Sequence, residues 1–388
     1  MCVYYLYHMK SLISVLRVIV GVLFIFSGLV KANDPLGLAY KMQEFFEVWA
    51  QSGFLPGLMH FMDGFALAFS IIMICFEIVA GVAVLVGWRM PLFSWLLLIL
   101  IVFFTFLTGY AYLSGKFRSC GCFGDCIPLT PRASFVKDIF LTIFIVVIFF
   151  YRNKIKPALP VFISISIITL SLIFSIWMQF HVLRHLPFVD CLPFQKGNNI
   201  AEKMKMPAGA IPDSTVITFV YQKQGQTVEF TSENFPGDFD DSLYHFVKRY
   251  DKIIRKGNAE PPIKDFVLTT LNGNDTTNAL LSIPGHSLFL FIKDDASNGR
   301  WLQEFDKIHA ATAQKGISIF AISNNMEDNQ ALLNKYTDLT WIKCDVVPIK
   351  TAARTSPAIL LIHQGTILNK WGVADFNAIP SALSVINN

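Results

Sequence analysis

The chain has 388 residues, 53% of them hydrophobic and only 15% charged, with a mean hydropathy of +0.49. An average soluble domain is about a quarter charged, so this composition excludes a wholly soluble protein. A net charge of +4 with pI ≈ 8.6 is too diffuse for nucleic-acid binding, and no phosphate-binding glycine loop, dinucleotide fingerprint or HExxH helix occurs.

The apolar excess lies in the first half. A helix needs about 20 mostly apolar residues to cross a ~30 Å hydrocarbon core. Five segments meet that test: Ser11–Val30, Phe61–Val86, Leu92–Leu113, Phe135–Tyr151 and Ala158–Phe180. The first ends without a small-x-small cleavage pattern and is expected to stay as a signal anchor. Basic residues cluster at Arg152, Lys154 and Lys156, and Lys10 and Arg89 fall on the same side. That bias predicts a cytoplasmic amino end. With five spans, the loop after the third and everything after the fifth share the opposite face. In a bacterial inner (cytoplasmic) membrane that face is the periplasm, where disulfides persist.

The loop after the third span, Cys120-Gly-Cys-Phe-Gly-Asp-Cys126, holds three of the seven cysteines. Cys191, just beyond the fifth span, is on the same face. A bond between Cys120 and Cys122 closes a small ring, and strain makes such a disulfide labile, as exchanging ones are. Gly121 and Gly124 give the backbone the freedom that closure needs. Lys116 and Arg118 favour thiolates, while Asp125 opposes them or accepts a proton. Cys126 could resolve a mixed disulfide, and Cys191 could shuttle it onward. Three readings stay open: a thiol–disulfide relay, a structural staple, and a metal site. Metal is disfavoured, because zinc takes four ligands and only Cys122 and Cys126 have a suitable spacing. Four thiols allow three full pairings, and sequence does not choose among them.

Glu77 lies mid-span, where an ionised acid costs at least ~2.5 kcal/mol and marks a functional candidate. Arg17 in the first span is its expected partner, as a structural ion pair or as part of proton or quinone chemistry. Lys31 and Asp34 are expected at the interface, and His181, Arg184 and His185 as a solvated collar on the fifth span. Cys75 and Cys344 read as buried packing thiols. Transport is disfavoured, since the broken-helix repeats of secondary transporters are missing.

From about Leu186 apolar runs shorten to strand length. Val216–Tyr221 and Thr227–Phe230 alternate like paired strands, and Asp241–Arg255 is predicted helical. Strands are then predicted at Leu288–Ile292, Ile317–Ile322 and Trp341–Cys344, with a hairpin of Ala358–Ile362 and Ile367–Trp371. Helices are predicted at Arg300–Gln314, at Asp328–Tyr336 and from Asp375. Such alternation implies an α/β sheet with helices on its faces.

This order resembles the TlpA- and peroxiredoxin-like branch of the thioredoxin-like fold. Pro262–Leu268 with Asn272-Gly-Asn-Asp is similar to that branch's entry segment, and Thr355-Ser356-Pro357 to the segment carrying its cis-proline. The resemblance implies a groove beside Pro357. Lys293-Asp-Asp-Ala-Ser-Asn298 has no cysteine where the family's C-x-x-C would stand. Since the thiolate is the required nucleophile, the domain is expected to bind rather than to exchange thiols itself, or to be a structural remnant.

The membrane half resembles DoxX-type proteins in Arg17-Val-Ile-Val-Gly21, in Phe24–Pro35 and in Glu77 with Gly81 and Gly87. The Cys120–Asp125 string, followed by a span opening at Ser134–Asp138, is similar to the MauE-like methylamine-utilisation proteins. The whole architecture looks like DoxX-family proteins of Bacteroidetes-type bacteria. The resemblance implies a four-helix bundle and a role in disulfide formation in a periplasmic partner. The expected organisation is a four-helix membrane domain over 1–155, a fifth span over 156–185, a linker and hairpin region over 186–260, and a thioredoxin-like domain over 261–388. The expected function is periplasmic thiol–disulfide exchange or protein maturation; the alternative is a non-catalytic envelope scaffold. Cys120, Cys122, Cys126 and Cys191 are the candidate exchanging residues, supported by Gly121, Gly124, Asp125, Glu77, Arg17 and Pro357. A quinone is a candidate acceptor, no cofactor is assigned, and lipid and a periplasmic protein are the expected partners.

Overall fold

A computed structural model describes residues 2–117, 121, 123–211, 214–223, 225–231, 234–240, 243–255, 257, 260–293 and 299–386. Its membrane half consists of α1 (Cys2–Ala32), α2 (Pro35–Gln51), α3 (Pro56–Asp63), α4 (Ala66–Val86), α5 (Met90–Ser114), α6 (Pro131–Phe150) and α7 (Val161–His185). Five of them (α1, α4, α5, α6 and α7) are long and apolar enough to cross a membrane. Their outer faces leave large side chains such as Val15, Ile72, Ile99 and Phe162 bare, as lipid contact requires. This is a membrane protein, with five helices among the described residues able to span the bilayer. The second span starts at Ala66 rather than Phe61, because Phe61 belongs to α3, which ends at Asp63 and is capped by Gly64.

Sequence alone does not single out α2 and α3. Asp34 caps α2 by accepting from the Gly37 amide, with Pro35 in the first turn. Thr130 and Pro131 open α6 in the same way. The two short helices bury Phe45, Phe46 and Met59 and roof the bundle at one end.

Glycine sets the register between α1 and α4. A Cβ on Gly21 would lie 2.5 Å from Leu85, one on Gly28 2.5 Å from Ile78, and one on Gly81 2.9 Å from the Gly21 carbonyl. Small residues let the two antiparallel backbones touch, as in other membrane helix pairs. This register places Glu77 opposite the Leu29–Lys31 turn and sends Arg17 to the far end of α4, beside Gly87. The expected Arg17–Glu77 pair is therefore absent: Arg17 donates to the Leu85 carbonyl at 3.0 Å. Comparable depth was the wrong criterion; the glycine contacts fix which turn meets which. Leu16, Val20, Phe24, Ala83, Leu97 and Ile145 fill the bundle core. α7 packs on the outside of α4, where Gln179 and Ser175 donate to the buried Cys75 sulfur.

The first soluble unit is a three-stranded antiparallel sheet, β1 (Ser214–Lys223), β2 (Gln226–Thr231) and β3 (Tyr244–Arg255), in order β2-β1-β3. The helix predicted over Asp241–Arg255 is thus a strand. Tyr244 and Phe246, two residues apart, both join Tyr221 in an aromatic cluster that a strand face supports and a helix would split.

The remainder is a six-stranded mixed sheet of β4 (Thr269–Thr270), β5 (His286–Ile292), β6 (Ser318–Ser323), β7 (Thr340–Lys343), β8 (Ala358–His363) and β9 (Thr366–Gly372). The order is β4-β7-β6-β5-β8-β9. β5, β6 and β7 run parallel, while β8 and β9 close the sheet antiparallel. Flanking it are α8 (Ile200–Lys203), α9 (Thr277–Leu281), α10 (Trp301–Lys315), α11 (Gln330–Lys335), α12 (Val346–Ala352) and α13 (Ile379–Ser384). Along β5, Phe289 and Phe291 face one layer while Leu288 and Leu290 face the other, so both sides are core. The Ser356–Pro357 peptide is cis and leads into β8, where the resemblance put it. The architecture is a membrane helical bundle followed by a thioredoxin-like domain.

Candidate functional site at the junction of the two halves

The loop after α5 and the thioredoxin-like domain meet on one face of the bundle. In the loop, the Gly124 amide donates to the Gly121 carbonyl at 3.0 Å, and both glycines have positive φ, +58° and +64°. A β-carbon on Gly121 would lie 3.0 Å from the Lys41 side chain. Cys120, Cys122 and Arg118 lie outside the described residues, as do residues 294–298 of the segment that would carry C-x-x-C. Cys126 forms a disulfide with Cys191, their Cα atoms 4.9 Å apart, tying the loop to the segment that leaves α7.

A second tie is ionic. Arg354, 5% exposed, stands three residues before cis-Pro357. Its Nε donates to Asp34 at 2.9 Å, its Nη2 to Asp125 at 2.8 Å, and its Nη1 to the Lys350 carbonyl at 2.7 Å. One guanidinium thus joins the cap of α2, the acid of the cysteine loop and the cis-proline segment. Tyr40 of α2 lies under that guanidinium at 5.3 Å, and its hydroxyl accepts from Lys293 at 3.1 Å. Lys293 directly follows β5, and its amide donates to Ser356 at 3.2 Å. The end of β5 and the cis-proline segment, beside which the family resemblance implies a groove, therefore both contact the membrane domain.

Burial raises the Asp34 carboxyl above the ordinary carboxylate range; Arg354 opposes that shift and Asp125 adds to it. Burial also works against the Arg354 charge, but Asp34 and Asp125 outweigh it and hold the guanidinium protonated. Further along, Lys370 of β9 pairs with Asp190 at 2.9 Å, and burial pulls its ammonium down against that partner. Asn33 exchanges two hydrogen bonds with Val189, and His185 meets Asp375 at 2.8 Å, so His185 is a domain contact rather than a solvated collar. Cys344 takes no part: burial, with Asp345 beside it, pushes its thiol up to about 12.

Inside the bundle, Glu77 pairs with Lys31 at 2.7 Å, and both side chains are 4% exposed. Lys31 is therefore a buried partner, not an interface marker. Asp138, buried in α6, accepts from Thr108 at 3.0 Å and pairs with Lys137 at 2.6 Å. Among the described residues, no group of three His, Cys, Asp or Glu side chains could hold a metal ion. A Glu77→Leu change is expected to leave Lys31 as an unpaired charge at membrane depth, at a cost of about 2.5–3.5 kcal/mol. Lys31→Met together with Glu77→Leu should recover most of that loss in thermal unfolding of the detergent-solubilised protein.

The structure joins a helical membrane domain to a thioredoxin-like domain. Residues 9–151 match the family model of the methylamine utilisation protein MauE, and residues 215–256 match a domain of unknown function, DUF8463. Protein TlpB of Flavobacterium psychrophilum is 26% identical over 206 residues, which cover 52% of this chain and 54% of TlpB. The chain thus spans about half the length of the curated relative it matches. No solved structure matches it.

Arg354 is the residue that sequence reasoning missed. Its one signal was its place, immediately before Thr355-Ser356-Pro357.

Proposed function

We propose that this chain is an inner-membrane component of periplasmic thiol–disulfide exchange, with its amino end in the cytoplasm and the thioredoxin-like domain in the periplasm. Cys120 and Cys122 exchange with a dithiol partner, Cys126–Cys191 braces the loop, and the thioredoxin-like domain presents the partner to it. The observation that carries this reading is the Arg354 bridge to Asp125 and Asp34. It ties Asp125 of the cysteine loop to the cis-proline segment of a domain whose sequence has no C-x-x-C of its own, which supports the reading. In that arrangement the membrane loop supplies the thiols and the soluble domain supplies the binding surface. The match to MauE and the similarity to TlpB support it.

The Cys126–Cys191 disulfide favours a second reading, in which the cysteines only brace an envelope scaffold. A Cys122→Ser variant separates the two. Exchange predicts a mixed disulfide between Cys120 and a periplasmic protein, released by reductant and lost in Cys120→Ser/Cys122→Ser. A correctly folded Cys122→Ser protein that captures nothing would leave the scaffold reading.

A further inference from the structure

The bundle encloses a cavity of about 570 Å³ between α1, α2, α4, α5 and α6 that the exchange reading does not use. Its size lies within the range of small-molecule sites. Its mouth is framed by Phe69, Ile72, Ile99 and Phe103, all exposed on the lipid-facing surface. Entry is therefore from the bilayer. The interior is walled by flat rings, among them Phe24, Phe45, Trp49 and Phe76. Its polar lining includes the buried Lys31–Glu77 pair, the half-buried Lys137 with buried Asp138, and Ser27, Lys41 and Thr108. Gly121 and Phe123 of the cysteine loop complete the lining.

We propose that this cavity binds a lipid-soluble quinone with its ring toward Lys31, Glu77 and the cysteine loop. A plain acyl chain would use the aromatic walls but give no reason to hold the Lys31–Glu77 and Lys137–Asp138 pairs on spanning helices, where charge is costly. A quinone uses both. Its planar ring stacks on aromatic faces, its carbonyl oxygens accept from ammonium groups, and its prenyl tail leaves through the lipid-facing mouth.

This inference rests on the exchange reading for its redox step. Two loop thiols lose two protons and two electrons as one S–S bond forms between them. The quinone takes both protons and both electrons and leaves as the quinol. The loop disulfide then oxidises a partner dithiol by exchange, so the quinone is the terminal oxidant.

The test uses the full chain in nanodiscs with a short-chain prenyl naphthoquinone. Binding is read by quenching of Trp49 fluorescence, and by calorimetry for variants that add tryptophan. Saturable quenching is expected, mostly lost in Trp49→Phe. Met73→Trp, which fills the cavity, and Ile99→Trp, which blocks its mouth from the lipid side, should each weaken binding by about tenfold or more, a loss of ~1.4 kcal/mol per decade. Glu77→Gln should weaken it several-fold. Ile99 faces lipid, so that variant keeps the proposal testable if Met73→Trp misfolds. Quenching that merely tracks partition into the bilayer, and is unchanged in Met73→Trp and Ile99→Trp, would overturn the site. So would full displacement by phospholipid alone. Anaerobic mixing of reduced protein with the quinone then tests the redox step. Saturable binding without quinol formation would uphold the cavity and count against the exchange reading. Mixed-disulfide capture without saturable binding would do the reverse.

Discussion

Arg354→Ala is expected to detach the thioredoxin-like domain from the cysteine loop, and the loss should be among the largest of any single change. Arg354 neutralises two carboxylates that otherwise face each other, Asp34 at 2.9 Å and Asp125 at 2.8 Å from its nitrogens. Removing one member of a buried pair costs about 3–5 kcal/mol, because the remaining charge stays uncompensated. Asp125 is 40% exposed and partly screened, so the lower end of that range applies. Limited proteolysis between the two halves and hydrogen exchange at the start of α2 would report the release. Arg354→Lys should recover only part, since one ammonium cannot fork to both acids while donating to Lys350.

The same cluster fixes a pH dependence. Burial raises the docked Asp34 carboxyl above its ordinary value. Between that ordinary value, about 3.9, and the raised one, the docked state binds more protons than the released state. Falling pH through that window therefore favours docking, and rising pH opposes it. In Arg354→Ala the opposing pull of the guanidinium is gone, so the window widens and acidification should partly rescue docking. Wild-type protein should show a shallower slope.

The second large effect concerns Cys126–Cys191, which closes a loop across a sequence separation of 65. Chain entropy puts such a cross-link at about 4 kcal/mol. That figure is an upper bound here, because α6 and α7 lie inside the closed loop and stay inserted when the soluble part unfolds. A loss of about 2–4 kcal/mol is expected for Cys126→Ser. Cys191→Ser and the double variant should cost the same, since all three remove one bond, and the double-mutant cycle should be strongly non-additive. Additive losses would mean that the two sulfurs act separately. Denaturant unfolding in detergent, followed by the fluorescence of the soluble domain, measures all three.

Much of this molecule was legible in its sequence. The spans could be read because the bilayer demands an unbroken apolar length. The strands of the thioredoxin-like domain could be read because both faces of its sheet are buried, giving short, dense apolar runs such as Leu288–Ile292. The cis peptide at Pro357 was legible only through the resemblance of Thr355-Ser356-Pro357 to the family's cis-proline segment. What escaped was set by tertiary contact. α2 and α3 are too short and too mixed to stand out, and their positions depend on the Asp34 cap and on burial of Phe45 and Phe46. β3 carries no clear period, and its pairing with β1 decides it. Glu77 was legible as an acid at membrane depth, but not its partner Lys31: that depended on Gly21, Gly28 and Gly81 setting the register of α1 against α4. Arg354 gave no signal beyond its place before Thr355-Ser356-Pro357, because its role exists only when three distant segments converge.

The central claim is that the loop thiols exchange while the second pair braces. Differential alkylation and mass mapping of all four cysteines, in native membranes poised from reducing to oxidising, tests it most directly. The account predicts that Cys120 and Cys122 switch together between two free thiols and none, while Cys126 and Cys191 stay bonded over the same range. Cys120 and Cys122 unchanged at every poise, or Cys126–Cys191 opening in their place, would contradict it.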